Sequence, residues 1–129
     1  MLFRSLRQAS QRHTALFASR MGAETTPTQW AALAKLHEIG PTSQNQLGRV
    51  TAMDVATIKG VVDRLMKRGL ICSMADKADA RRRLLALSEQ GRAFVEANVS
   101  TAHAITRETL APLAERERTL FVALLGKLR

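Results

Sequence analysis

Three helix-start signals crowd into the stretch from Thr26 to Asp54, with a breaker between the first two. In Thr26-Pro27-Thr28-Gln29 a hydroxyl able to cap precedes a proline suited to the first helical position, and Gln29 is placed to complete a capping box. The apolar positions that follow, Trp30, Leu33, Ala34 and Leu36, stop at Gly40-Pro41. Ser43-Gln44-Asn45-Gln46 reads as a second capping box and opens a short helix to about Val50. Asp54 caps a third helix, roughly 55–68, whose buried side is Ile58, Val61, Val62 and Leu65. Gly69 ends it, with Leu70 positioned for the apolar contact of a Schellman stop. Three short helices joined by tight connections are what this punctuation allows.

The flanks follow from periodicity. Leu2, Leu6, Ala9, His13, Leu16, Phe17 and Met21 recur at three- and four-residue steps and predict one apolar helical face, closed by Gly22. Residues 70–75 and 83–88 read as two strands around a charged tip, residues 76–82, and so as a hairpin. Ser88 caps a long helix, roughly 89–110, carrying Phe94, Val95, Val99, Ala102 and Ile105 on one side. Pro112 interrupts the pattern, and Leu120, Phe121, Leu124, Leu125 and Leu128 mark a last amphipathic helix.

At 129 residues, 46% of them hydrophobic, the chain suits one domain with a real core. Twenty Lys and Arg against 11 Asp and Glu give a net charge of +9, which favours a polyanionic partner. Only 4% of residues are aromatic and none is Tyr, which argues against base-stacking platforms. The single cysteine, Cys72, excludes a disulfide framework within the chain, is expected to be a small buried hydrophobe, and fits a cytoplasmic protein. No apolar run is long enough for a membrane span, and no secretory signal is evident. The basic stretch 1–21 also has the look of a mitochondrial presequence, a reading discounted because the same pattern makes an ordinary first helix.

Two helices joined tightly, the second leaving a face of small residues uncovered, make a helix-turn-helix, whose second helix enters the major groove N-terminus first. The first turns of residues 55–68 offer Val55, Ala56, Thr57, Lys59 and Gly60; Thr57 can meet a base edge or thymine methyl, and Lys59 a guanine or phosphate. Ser43, Gln44 and Asn45, opening the preceding helix, join the candidate contact set. The hairpin tip adds Lys77, Asp79, Arg81 and Arg82, cations placed to follow a backbone or enter a minor groove, with one carboxylate among them.

These residues resemble the MarR family of bacterial transcription regulators. The resemblance runs through Thr26-Pro27-Thr28-Gln29-Trp30, Val61-Val62-Asp63-Arg64-Leu65 with Gly69-Leu70-Ile71, Asp79-Ala80-Arg81 and Leu87-Ser88-Glu89-Gln90-Gly91, in that order. It implies a mainly α fold: a winged helix-turn-helix with a small β-hairpin wing and N- and C-terminal dimerisation helices. One MarR-type domain would span residues 1–129, with DNA binding in 26–90 and dimerisation in 1–22 and 91–129. It implies that Asp79 braces the wing while Arg81 enters the minor groove. The family motif has a basic residue where this chain has Ala80, and many relatives carry a larger polar residue in place of Gly60. The implied partners are a second copy of the chain and double-stranded DNA with two-fold symmetry. Family habit further implies a repressor released by a small aromatic acid, for which His13, Phe17, Arg20 and Trp30 are the candidate contacts: Phe17 and Trp30 for a ring, His13 or Arg20 for a carboxylate.

An enzyme is the less favoured class. The chain has no Gly-rich phosphate loop and no nucleophile elbow, and His13, His37 and His103 are too scattered for a zinc site. No cofactor is expected. His37 shares a helical face with Trp30 and reads as a satisfied core histidine. A basic RNA-binding or ribosome-associated protein is the other alternative, sharing the charge without a preference for two-fold duplex DNA.

Overall fold

The computed structural model describes residues 1–129. Its elements are α1 (Leu2–Met21), α2 (Pro27–Ile39), α3 (Gln44–Val50), α4 (Val55–Lys67), β1 (Ile71–Ala75), β2 (Arg83–Leu87), α5 (Glu89–Thr109) and α6 (Glu115–Lys127). The fold is mainly α, a winged helix-turn-helix with one hairpin. No helix is long and apolar enough to cross a membrane. The chain divides into two units, Ala23–Val99 and the pair Met1–Gly22 with Ser100–Arg129.

In the Ala23–Val99 unit all three expected caps form. Thr26 Oγ1 accepts from the Gln29 N–H at 3.2 Å, Ser43 Oγ from Gln46 N–H at 3.2 Å, and Asp54 Oδ1 from Thr57 N–H at 2.7 Å. Neither capping box closes, contrary to expectation. Gln46 Oε1 instead accepts from Arg49, and Gln29 Oε1 from Arg68, so each glutamine finds a charged donor rather than the backbone N–H of its cap.

The turn from α3 to α4 is a Schellman stop built without glycine. Met53 N–H reaches Gly48 O at 2.8 Å and Ala52 N–H reaches Arg49 O, which places Ala52 at φ 56°. The helices approach closely here, because a Cβ on Gly48 would sit 3.1 Å from Ile58 Cγ2. The stop after α4 uses Gly69 as expected: at φ 74° it donates to Met66 O, and Leu70 N–H reaches Leu65 O.

Apolar faces of α2, α3 and α4 meet in one core: Leu33, Leu36, Leu47, Ile58, Val62 and Leu65, closed by Ile71 and Leu85 from the hairpin and Val95 from α5. Full burial of each leucine contributes about 2 kcal/mol. The strands pair antiparallel with Ile71 opposite Leu87 and Ala75 opposite Arg83. Thr42 adds a single bridge to Leu85, so the wing is tied to the connection between α2 and α3. The start of α5 lies against the end of α4: Ser88 Oγ donates to Gly69 O at 2.6 Å, and a Cβ on Gly91 would overlap the Leu70 carbonyl.

Two expectations about single residues are corrected. Cys72 is exposed rather than buried. Strand alternation turns Ile71 inward and therefore Cys72 outward. His37 is exposed, not a core histidine. The buried stripe of α2 centres on Gln29, Ala32, Leu33 and Leu36, and His37 lies roughly a quarter-turn from it. Trp30 sits at a similar offset but is half-covered because Phe94 packs against it edge-on, with ring centroids 6.4 Å apart.

In the other unit, α1 side chains close the end of α5. Arg12 donates to the Thr109 and Glu108 carbonyls at 2.6 and 2.7 Å, satisfying acceptors that the helix itself leaves open. His13 Nδ1 lies 2.8 Å from Thr109 Oγ1. After α5 the chain turns through Pro112, and the Glu117 carboxylate accepts the Ala114 N–H where α6 begins. The predicted apolar face of α1 exists but is mostly uncovered: Phe17 is its one buried residue, while Leu2 and Leu6 are exposed, as is the adjoining Phe3. α6 buries nothing, leaving Leu120, Phe121, Leu124, Leu125 and Leu128 in solvent.

Candidate nucleic-acid interface

The Asp54 cap fixes the first turn of α4 and leaves its outer side free. Ile58, Val61, Val62 and Leu65 hold the helix by one face, while Val55, Ala56, Thr57 and Lys59 are exposed and Gly60 is half-exposed. Val55 keeps 72% of its surface in solvent, so nothing within the chain covers it. The backbone bond from Thr57 holds the Asp54 carboxyl below the usual carboxylate range. Lys59 pairs with Asp63 at 2.9 Å, one helical turn on. Both side chains are more than half exposed, so the pair is weak and Lys59 can exchange Asp63 for a phosphate.

At the wing, Asp79 organises the tip. It accepts from the Arg81 backbone N–H at 3.1 Å and from Arg81 Nε at 3.3 Å, while Arg82 N–H reaches its carbonyl. Arg81 still presents 92% of its side chain to solvent. Lys77 and Arg82 are exposed beside it. At the start of α3, Ser43 spends its hydroxyl on the cap, Gln44 is half-buried and Asn45 is exposed. The tip, α4 and α3 residues thus all lie in the Ala23–Val99 unit.

The candidate effector residues fall differently. His13, Phe17 and Arg20 belong to α1 and Trp30 to α2, in separate units. Phe17 is buried, and Trp30 is occupied by Phe94. Arg20 forms an ion pair with Glu108, which raises the arginine and lowers the carboxyl from their ordinary values. His13 faces an apolar groove of about 370 Å³ that also includes Leu6, Leu110, Phe121 and Leu125. No three His, Cys, Asp or Glu side chains lie close enough to share a metal ion.

Two sets of contacts are invisible to a sequence reading. Arg68 bonds to Gln29 and stacks on Phe94, and Glu108 holds Arg20. Their partners stand 39 and 88 positions away, beyond any local signal.

The MarR family profile matches residues 25–82, the stretch from the start of α2 to the wing tip. The HTH-type transcriptional repressor NicR of Pseudomonas putida is 37% identical over 124 residues, spanning 95% of this chain and 78% of NicR. The chain belongs to the MarR family. A MarR-family fold also explains the structural likenesses. The crystal structure of a probable transcriptional regulator from Pseudomonas aeruginosa superposes with a TM-score of 0.95 at 55% identity, covering all of this chain and 97% of that one. BpsR of Bordetella bronchiseptica, whose DNA binding is regulated by 6-hydroxynicotinic acid, superposes at 0.92 with 37% identity, covering 99% and 92%. The protein is therefore a MarR-family transcription regulator.

Proposed function

We propose that the protein is a repressor, not an enzyme, that binds a pseudo-palindromic operator as a homodimer and is released by a small hydroxylated aromatic acid. The observation that carries the reading is the solvent-facing first turn of α4, with Val55, Ala56 and Thr57 free, in one unit with a wing whose Arg81 is almost wholly exposed. Small side chains let a helix sit deep in a major groove about 12 Å wide. An exposed arginine suits the narrower groove beside it. Residues 26–90 carry this contact in the proposal, and 1–22 with 91–129 carry dimerisation.

The uncovered apolar surface supports the dimer. Leu2, Phe3 and Leu6 on α1 and Leu120, Phe121 and Leu124 on α6 are more apolar exposure than a lone chain keeps in water. A two-fold dimer reads half-sites about one helical turn apart. The effector reading draws on BpsR, which responds to 6-hydroxynicotinic acid, and on NicR, a repressor. In this reading Arg20, or the His13 imidazole in its place, pairs with the effector carboxylate. Such a ligand acts only through unequal affinity for the binding and non-binding forms.

Selection of bound sequences from random duplex DNA tests the proposal, repeated with and without 6-hydroxynicotinic acid and with structured RNA as competitor. Recovery of a two-fold motif, lost on adding the acid, is the expected result. Equal competition by RNA, or a monomer in sedimentation, would overturn it.

A further inference from the structure

α4 is a lever held at two points. Its first turn, which the proposed function places against bases, is fixed by Asp54; its other end is fixed by Arg68, the residue at its C-cap. At 13 residues the helix is about 20 Å long, so a tilt of roughly 5° about the far end displaces the first turn by about 1.7 Å. Contacts that discriminate one base from another do not survive an error of that size.

Arg68 is built into three elements at once. Nη1 donates to Gln29 Oε1 on α2 at 2.9 Å and to the Glu24 carbonyl, in the turn before α2, at 3.2 Å. The guanidinium carbon lies 5.4 Å from the centre of the Phe94 ring on α5, within cation–π range. Phe94 in turn meets Trp30 of α2 edge-on. Gln29 is one of only two buried polar residues, and Arg68 is the side chain that bonds its amide oxygen. Apolar packing along Ile58, Val61, Val62 and Leu65 sets which face α4 buries. A directional fork at its end adds what a greasy stripe lacks, a fixed angle and register.

We infer that Arg68 is a positioning residue for sequence recognition: through Gln29, the Glu24 carbonyl and Phe94 it holds α4 at the tilt that presents Val55, Ala56 and Thr57 to bases, without touching DNA itself. The inference rests on α4 being the reading helix, and its failure is separable from the failure of that reading. If α4 does not read DNA, the parent protein itself shows no sequence preference. If only the role of Arg68 is wrong, the parent discriminates and the variants discriminate equally well.

The test compares the full-length protein with Arg68→Ala, Arg68→Lys, Gln29→Leu and Phe94→Leu, on the selected duplex and on a scrambled one. Measurements are made at one temperature, with folding checked by circular dichroism. Arg68→Ala is expected to lose about tenfold in affinity for the selected duplex and far less for the scrambled one, so the ratio between them collapses. Arg68→Lys, which keeps one bond but not the planar stack, is expected to fall between. The slope of log affinity against log salt stays that of the parent, because no phosphate contact is removed. Loss of folding stability alone leaves the ratio unchanged in the fraction that is folded. An unchanged ratio in Arg68→Ala overturns the inference, as does a salt slope reduced by about one, which would make Arg68 a phosphate contact. Where Arg68→Ala does not fold, Gln29→Leu and Phe94→Leu remove the two partners singly, and parent-like discrimination in both overturns the inference as well.

Discussion

The Arg20 guanidinium is paired with the Glu108 carboxylate, joining α1 to the last turn of α5. The pair matters because Arg20 is a residue proposed to receive an effector carboxylate. Such a ligand has to take Arg20 away from Glu108. Glu108→Gln is therefore expected to tighten effector binding several-fold, whereas Arg20→Ala weakens it. Calorimetric titration of the two variants with an aromatic acid checks the signs, and tightening in both would mean that Arg20 does not hold the carboxylate. The hydrogen bond from Arg20 depresses the Glu108 carboxyl, so the pair persists above the ordinary carboxylate range and is lost only as pH falls through the lowered value.

The same sign governs Asp54. Its carboxyl is lowered chiefly by the Thr57 backbone N–H, so the cap contributes fully above the ordinary carboxylate range, about pH 4, and is lost as pH falls through the lowered value. Asp54→Ala is expected to lower the melting temperature by roughly a few degrees near neutrality. Asp54→Asn keeps an acceptor but cannot titrate. Melting curves from neutrality into strong acid should therefore show the parent's advantage over Asp54→Asn shrinking towards the acid end. A constant difference across that range would remove Asp54 from the acid response.

Ala52 occupies a left-handed conformation that a side chain tolerates poorly. Its place in the turn between α3 and α4 is that of a helix-stop glycine. Ala52→Gly relieves the strain but loosens the unfolded chain, so the expected gain is about 0.5–1 kcal/mol. Urea unfolding measures it, and a loss of stability would show that the alanine methyl has a packing role.

Local signals made the fold legible. Thr26, Ser43 and Asp54 each advertise a helix start within three residues, and each forms its bond. Gly69 and Pro112 mark stops for reasons carried by their own backbones. The failures lie where a distant partner decides. Gln29 has the right spacing for a capping box, but Arg68, 39 residues on, offers a charged donor and takes it. His37 and Trp30 share a face in the sequence, yet only Trp30 has a Phe94 to cover it. Net charge misleads in its own way. Nine of the Lys and Arg residues, against three acids, fall in the terminal-helix unit, and eleven, against eight acids, in the unit with α4 and the wing. The surplus is thus greater in the unit that does not contain α4 and the wing, and the total of +9 does not measure the candidate DNA surface.

Arg81 and Thr57 separate affinity from specificity. Arg81 is almost fully exposed at the wing and is braced by Asp79, the arrangement of a cation held out towards a backbone or minor groove. Thr57 is exposed in the first turn of α4, with its backbone N–H spent on the cap and its side chain also helping to lower the Asp54 carboxyl. Arg81→Ala is expected to weaken binding to every duplex and to reduce the salt slope by about one if the contact is to phosphate. Thr57→Ala should leave the slope alone and change the ranking of duplexes that differ at one base pair, by roughly 1 kcal/mol at the position it reads. Fluorescence anisotropy at several salt concentrations resolves both effects. Equal affinity of Arg81→Ala and the parent at matched salt would remove the wing from the interface, and an unaltered ranking with Thr57→Ala would move base recognition to the neighbouring Val55, Ala56 or Lys59.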